Sequence, residues 1–379
     1  MPAKPTSFAR GTLEEHLARK RRESFPSYDH TRGESSYPDR YGRIKAELKP
    51  FHSAVEKGAL LKSAQEWQKS VERQAKKDLS GAALRAELAN LKRGESLIYL
   101  NNHGEGHVDC VIRRASELLL KADCQLTPYE CYLLLCAIQF HDVGNVFGRE
   151  GHEEKCKEII ESTCKQIIKD ATERDTIIRI AMVHGGCHSN DKDTIRWLRP
   201  SKKLFNHDVR EQLLAAILRF ADELADDSSR VPRAEIGIGI VPADSSIYHE
   251  YSRALHSVVV QPHSIELGFQ FLSPLVIKRF PKAGEKRYLL DEIYDRTLKM
   301  ERERRYCMRY MRPYISIDQV SAEIVIQSER NAIDQDRITY TLEEKGYPSE
   351  PSYDIKQFGT HLRSGKEEME YLVPRWKLA

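Results

Sequence analysis

Apolar residues recur at helical spacing through the middle of the chain. From His107 to about Ala225 they follow the i, i+3, i+4 pattern of helices that bury one face. The helices predicted in this stretch include His107–Lys121, Pro128–Phe140, Gly151–Lys169, Glu173–Val183 and Asp208–Ala225. Upstream, residues 43–91 are rich in Ala, Leu, Lys, Glu and Gln and also predict helix, as does the short segment Leu13–Glu23. The pattern therefore predicts a helical core.

The character of the chain changes after Arg230. Three segments are β-rich and partly alternate between apolar and polar residues: Ala234–Pro242, Ser257–Phe271 and Ser321–Gln327. A long charged helix, Leu290–Arg312, is predicted between the second and third segments. Beyond about Asn331 the chain is polar, and we expect a tail that packs weakly or is disordered. The expected organisation is an irregular or short-helix segment (1–45), a helical core (46–230), an α+β subdomain (231–330) and a polar tail (331–379).

Composition and charge narrow the class of protein. The chain has 379 residues, which is long enough to bury a core. Its formal net charge of +3 does not indicate a general polyanion binder. A nucleic-acid partner is therefore possible but not favoured. The eight cysteines form no CxxC pair, the N-terminal segment lacks the apolar stretch of a secretory signal, and no apolar stretch suits a membrane span. We expect a cytoplasmic protein with reduced thiols and no membrane contact.

Several predicted helices place a polar residue where an apolar one is expected. His141 and Asp142 end the strongly apolar helix CYLLLCAIQF, and a glycine follows at position 144. Asp222 shares one stripe of its helix with Leu214 and Leu218, at spacings of four residues. Burying an unpaired carboxylate costs free energy, so Asp222 needs a cation or hydrogen-bond donors.

Three further histidines repeat this pattern: His107, His152 and His184 each share a helix face with apolar residues. Any single one of them is explained by a satisfied core histidine, and Asp222 alone by a cap or by a salt bridge to Arg219 or Arg230. Their joint occurrence indicates a metal site instead. Imidazole and carboxylate ligands together suit Zn, Mn, Fe, Co or Ni.

The order of these residues resembles the H…HD…D signature of HD-domain metal-dependent phosphohydrolases, as do the strings HVDCVIRRASELL and LRFADELADD. The string HDVGNVFGREGHEE resembles the HD loop of deoxynucleoside triphosphate triphosphohydrolases. The wider series NNHGEGHV, HDVGN, HGG, ADELADD, DEIYDR and ERRYC is similar to the HD-CE subgroup over roughly residues 90 to 325. The resemblance implies a mainly α fold, an HD-domain helical bundle with a small C-terminal α+β subdomain.

The resemblance also implies roles for individual residues. The expected metal ligands are His107, His141, Asp142 and Asp222. Two further residues would hold a second metal or act as acid–base groups, namely His152 and His184. The triphosphohydrolase pattern has a histidine directly after FG, whereas Arg149 follows Phe147-Gly148 here, so the role of His152 departs from that pattern. Alternative ligands are His103 and His188, and the expected phosphate contacts are Arg149 and Arg219.

The function implied is hydrolysis of nucleotides with a divalent cofactor, one of Mn, Fe, Co, Ni, Zn or Mg. The leading expectation is conversion of a dNTP to deoxynucleoside and triphosphate, with a role in antiphage defence. One alternative is a phosphodiesterase or nuclease acting on cyclic or oligomeric nucleotides, and another is a non-catalytic nucleotide-sensing switch. The expected partners are the nucleotide substrate, further copies of the chain in a homo-oligomer and a protein of a defence system.

Overall fold

The computed structural model describes residues 12–19, 37–56, 104–147, 151–185, 191–225, 246–282, 285–330, 333–343 and 355–376. The chain divides into two compact units, Met1–Asp222 and Glu223–Ala379. The division follows Asp222, whereas the sequence changes character after Arg230. The domain boundaries expected from the sequence stay predictions.

Helices form most of the first unit. They are α1 (Leu13–Arg19), α2 (Tyr37–Glu56), α3 (Glu105–Lys121), α4 (Pro128–Phe140), α5 (His152–Ile159), α6 (Ala171–Met182) and α7 (Glu211–Leu224), the last of which ends just past the division. Short 3-10 helices span Val143–Phe147 and Ile195–Trp197, and a π-helical turn, Ile160–Cys164, continues α5. A small hairpin pairs β1 (Lys202–Leu204) with β2 (His207–Val209).

Helix α4 is the centre of this unit, since every residue from Tyr129 to Phe140 is buried. Helices α2, α3 and α6 pack against it. Its start is fixed by a capping box: Glu130 N donates to Thr127 Oγ1 at 3.1 Å, and Thr127 N donates to Glu130 Oε2 at 3.0 Å. A helix that is apolar on all sides is stable only when surrounded by protein. The residues that follow Phe140, His141 and Asp142, are therefore placed in the interior.

The helices predicted in this unit are confirmed, with shifts at their ends. The helix predicted over Asp208–Ala225 begins instead at Glu211, because residues 207–209 pair with 202–204 in the hairpin. Phe205 and Asn206 adopt positive φ at its turn, which short polar residues such as Asn tolerate best. The helix predicted over residues 43–91 is described only as far as Glu56, and its remainder lies outside the described residues.

The second unit combines helices with a sheet. Its elements are α8 (Ser246–Ala254), β3 (Leu255–Val260), β4 (Ser264–Leu272), α9 (Pro274–Ile277), β5 (Arg279–Lys282), β6 (Glu285–Tyr288), α10 (Leu289–Met311), β7 (Gln319–Gln327), β8 (Gln335–Glu343) and α11 (Gly365–Trp376). The main sheet has the order β3-β4-β7-β8, in which β4 and β7 are parallel and the other pairs antiparallel. The mainly α fold with a small C-terminal α+β region is thus confirmed. The strand predicted over Ala234–Pro242 lies outside the described residues.

The expectation of a loosely packed tail is wrong for the described part of residues 331–379. Strand β8 pairs along its whole length with β7, from Gln335↔Gln327 to Glu343↔Gln319. Helix α11 begins with Gly365, whose backbone N–H donates to Asp291 on α10 at 2.7 Å. Alternate residues of β8 are buried, namely Ile338, Tyr340 and Leu342. The exposed polar residues between them made the composition look like that of a tail.

Among the described residues, every helix falls short of the length or the apolar character needed to cross a membrane.

Glu130 supports a test of how α4 is anchored. Its carboxylate caps α4 and also accepts hydrogen bonds from Arg210 Nε at 2.8 Å and Nη2 at 2.7 Å. Burial raises the pKa of this carboxyl, but the bonds from Arg210 and the Thr127 backbone outweigh it and lower the pKa below its usual value. We expect Glu130→Ala to reduce the free energy of unfolding by about 3 kcal/mol at pH 7, measured by urea denaturation.

The pH dependence follows from the lowered pKa. Glu130 stabilises the fold above the usual carboxyl pKa, and this contribution is lost as the pH falls through the lowered value of the folded state. The gap between wild type and Glu130→Ala should therefore narrow in acid. As a control, Asp208→Ala removes an exposed pair with Lys203 and should change stability by less than about 1 kcal/mol. Equal losses in both variants would contradict the anchoring role.

Candidate metal centre

Six of the residues singled out in the sequence come together in the first unit. They form two groups: one contains His107, His141, Asp142 and Asp222, and the other contains Asp142, His152 and His184. Within each group, one nitrogen or oxygen from every residue lies within 4.8 Å of the others. All of these residues are buried except Asp222, whose side chain is 27% exposed.

The first group joins three helices. His107 lies in the first turn of α3, His141 and Asp142 directly follow α4, and Asp222 lies near the end of α7. His107 Nε2 is 3.0 Å from Asp222 Oδ1 and 3.4 Å from Asp142 Oδ2. His141 Nε2 is 3.3 Å from His107 Nε2 and 3.5 Å from Asp142 Oδ2. Two imidazole nitrogens and two carboxylate oxygens therefore face one another at distances that a shared cation can bridge.

The second group adds residues at the start of α5 and at the end of α6. His152 opens α5, and its Nε2 lies 3.1 Å from Asp142 Oδ1. His184 follows α6, and its Nε2 lies 3.6 Å from the same oxygen. The two rings meet edge to face, with centroids 5.5 Å apart.

Asp142 belongs to both groups, and it uses a different oxygen for each. Oδ2 faces His107 and His141, whereas Oδ1 faces His152 and His184. A carboxylate with this arrangement can bridge two cations, and two-metal sites in hydrolases hold their ions about 4 Å apart. The donor set of nitrogens and carboxylate oxygens fits a divalent metal, and borderline transition ions suit it better than a pure oxygen site would.

The imidazole rings are held so that Nε2 points into the site. His141 Nδ1 lies 2.7 Å from the Ile138 carbonyl, and His184 Nδ1 lies 2.6 Å from the Ala181 carbonyl. For His152, the Glu153 carboxylate takes this role, with Oε2 at 3.2 Å from Nδ1. An oxygen acceptor at Nδ1 keeps a proton there and leaves Nε2 with its lone pair, which is how metal-binding histidines are oriented.

The charges of the site reinforce one another. Burial lowers the pKa of His141, but the carboxylates of Asp142 and Asp222 outweigh it and raise the pKa to about 10. Burial raises the pKa of Asp222, but hydrogen bonds from His107 and His141 reverse this and hold it well below the usual carboxyl value. The site therefore concentrates negative charge that favours a cation, whether a proton on the imidazole or a divalent ion.

Gly144 and Asn145, which follow Asp142 closely in the chain, shape the site without belonging to either group. Asn145 Nδ2 donates to Asp142 Oδ1 at 2.9 Å and so helps to orient the shared carboxylate. Gly144 lies against the backbone of His152, and a Cβ at this position would overlap the His152 carbonyl. The string HDVGN carries both residues, so the sequence contains the signal, although neither residue was singled out.

Two other residues near the site were missed for different reasons. Glu153 resembles any other charged residue at a helix start, and only the fold shows that it contacts His152. The position of Glu153 beside His152 depends on Gly185, where a Cβ would overlap the Glu153 side chain. His52 on α2 is 2% exposed, and burial together with the positive charge of His141 lowers its pKa to about 4. Its position four residues after buried Leu48 is the same signal that marked His107.

The other predicted site residues are not brought to these groups by the described structure. His103, His188 and Arg149 lie outside the described residues. Arg219 is 5% exposed, and its Nη1 donates to Thr194 Oγ1 at 3.1 Å and to the Lys192 carbonyl at 3.3 Å. This contact gives Arg219 a structural role, and its expected contact with a phosphate stays a prediction.

Comparison with known proteins gives one match. The family model described as HD-CE matches residues 86–297, which is more than half of the chain and includes all six residues of the two groups. No curated protein and no solved structure matches the chain. The resemblance of the HD loop to that of the triphosphohydrolases receives no support from these comparisons.

Glu153 allows the second group to be tested apart from the first. We expect Glu153→Ala to weaken binding of a second Mn²⁺ by about 10- to 100-fold, because His152 loses the acceptor that orients it. Binding of the first Mn²⁺ should be unchanged, since Glu153 contacts neither His107 nor His141. Calorimetric titration of the metal-free protein with Mn²⁺ measures both steps.

The neighbouring Glu154 gives a matched control, because Glu154→Ala removes a carboxylate from the same turn without touching Nδ1 of His152. If Glu153→Ala and Glu154→Ala bound Mn²⁺ alike, the orienting role of Glu153 would be wrong.

Proposed function

The chain belongs to the HD-CE family, and we propose that it is a metal-dependent phosphohydrolase that acts on nucleotides, with deoxynucleoside triphosphates as the leading substrate. The observation that carries the proposal is the shared, buried carboxylate of Asp142, 2% exposed, with one oxygen toward each histidine group. A purely structural histidine cluster has no need of a carboxylate that divides its oxygens in this way. Two cation positions that share one ligand are typical of phosphoester hydrolysis.

A divalent ion bound at these groups supplies a water of lowered pKa and polarises a phosphoryl oxygen. The residues of the chain do the rest. Asp142, Asp222 and the Nε2 atoms of the histidines would hold the ion and so set where the reacting phosphate binds, and the buried surroundings exclude bulk water. If only the first group holds an ion, His152 or His184 is within reach to donate a proton to the leaving oxygen.

For a deoxynucleoside triphosphate, the products would be a deoxynucleoside and tripolyphosphate. Water adds its oxygen to the α-phosphorus, the bond from that phosphorus to the 5′ oxygen breaks, and the 5′ oxygen gains a proton. The support for this substrate is the resemblance of HDVGNVFGREGHEE to the triphosphohydrolase loop. A homo-oligomeric state, a defence-system partner and an antiphage role through dNTP depletion stay predictions.

A second candidate is hydrolysis of a phosphodiester in a cyclic or oligomeric nucleotide. The two histidine groups favour it, because paired ions stabilise both the attacking and the leaving oxygen of an in-line displacement. The products separate the two candidates. Tripolyphosphate from a dNTP supports the first, and a nucleoside monophosphate from a cyclic or dinucleotide supports the second.

Replacement of the shared carboxylate tests the proposal. We expect Asp142→Asn to lose at least about 100-fold in the rate of nucleotide hydrolysis, because both groups lose a charged oxygen. Elemental analysis of the purified variant should show less bound metal than wild type. The measurement is a panel of dNTPs, cyclic nucleotides and dinucleotides with Mn²⁺, Mg²⁺, Co²⁺, Ni²⁺ or Fe²⁺.

The matched control is Asp208→Asn, which changes an exposed aspartate of the same unit and should leave metal content and rate as in wild type. Turnover by Asp142→Asn at the wild-type rate would refute the proposal. Wild-type protein that retains metal but hydrolyses nothing in the panel would instead support a nucleotide-sensing switch.

A further inference from the structure

A cleft of about 600 Å³ adjoins the second histidine group. It lies between the start of α5, where His152 and Glu153 contribute to its wall, and the end of α6. A further wall is formed by Thr194, Trp197 and Leu198, in and beside the 3-10 helix Ile195–Trp197. Sites for small organic ligands usually have volumes of roughly 300–1,000 Å³, so the cleft is large enough for a nucleoside.

The lining combines an apolar surface with an exposed aromatic ring. Met182, Val183 and Leu198 supply the apolar part, and Trp197 is 62% exposed. The guanidinium of Arg196 lies 4.6 Å from the centre of the indole ring and is held by Asp191 at 2.5 Å. The flat indole ring suits stacking with another aromatic ring.

The wall that carries Trp197 is held by the same helix that carries a candidate metal ligand. Arg219 and Gln212 of α7 hold it, Arg219 through Thr194 Oγ1 at 3.1 Å and Gln212 through the Leu198 carbonyl at 3.0 Å. Thr194 Oγ1 in turn donates to the Val183 carbonyl at 2.9 Å, which joins this part of the lining to the end of α6. Helix α7 also carries Asp222, so the position of Trp197 is tied to that of the metal centre.

The charges in the cleft exclude the phosphates of a nucleotide. Glu153 and Glu154 line it, and their carboxylates repel anions. Its arginine, Arg179, is compensated by Asp175 at 3.0 Å and Glu211 at 2.9 Å. A neutral aromatic group with N–H donors fits this mixture of indole, apolar and carboxylate surface, whereas a polyphosphate does not.

We propose that this cleft binds the purine base of the substrate, stacked against Trp197, while the phosphates reach the metal centre past His152. The proposal deepens the proposed function and rests on it for the identity of the substrate. Binding of the base by itself needs neither metal nor turnover. It can therefore be measured when hydrolysis is absent.

The experiment measures binding of purine nucleosides to the full chain in EDTA. Guanosine and adenosine are titrated by ligand-observed NMR and by quenching of tryptophan fluorescence. We expect Trp197→Leu to weaken nucleoside binding about tenfold, because stacking on an aromatic ring is lost. Trp197→Phe should restore most of the affinity.

Trp376→Leu provides the control, because Trp376 ends α11 in the other unit. The cleft proposal is overturned if wild type binds no purine nucleoside, or if Trp197→Leu binds nucleosides as tightly as wild type. It is also overturned if Trp376→Leu weakens nucleoside binding as much as Trp197→Leu does. Nucleoside binding at Trp197 in a protein without hydrolytic activity would sink the proposed function and leave the base site standing. Hydrolysis by Trp197→Leu with an unchanged KM would overturn the base site and leave the proposed function standing.

Discussion

The burial of the Asp142 carboxylate governs the architecture of the first unit. An isolated carboxylate in a protein interior costs several kcal/mol or more, so it persists only where cations or hydrogen-bond donors surround it. Here four imidazole rings at helix ends surround the carboxylate, with Nε2 atoms placed to share a cation with it: His107, His141, His152 and His184. The amide of Asn145 donates a hydrogen bond to it. Three of the rings, those of His141, His152 and His184, are held by an oxygen acceptor at Nδ1. The packing of the helices brings these groups to one carboxylate.

Several features elsewhere in the unit serve that end. The capping box at Thr127 and Glu130 sets where α4 begins, and the burial of the whole helix sets where its last residue lies. Gly144 permits the next turn to reach the His152 backbone, so that α5 can start beside Asp142. Arg219, one turn before Asp222, donates to Thr194 Oγ1 and so braces the wall of the neighbouring cleft. The metal centre and the cleft therefore share the same supports.

The second unit shows where composition misleads. Composition alone predicts that its edge strand β8 belongs to a weakly packed tail, because five of its nine residues are exposed and polar or charged. In the sheet those residues face outward, and Ile338, Tyr340 and Leu342 face the core. Alternation with a period of two is the signal that distinguishes such a strand from a tail. Partners far away in sequence, here β7, decide whether that signal becomes a strand.

The sequence by itself determined the helical core and most of its helices, and it singled out the six His and Asp residues that cluster in the candidate metal centre. It could do so because a His or Asp on an apolar face is costly and therefore visible in the pattern of a single helix. It did not determine which oxygen of Asp142 faces which histidines, that Glu153 orients His152, or that Arg219 holds the wall beneath Trp197. Those relations join residues from different helices, and no local pattern carries them. Only the packing of the helices fixes the distances that turn separate side chains into a site.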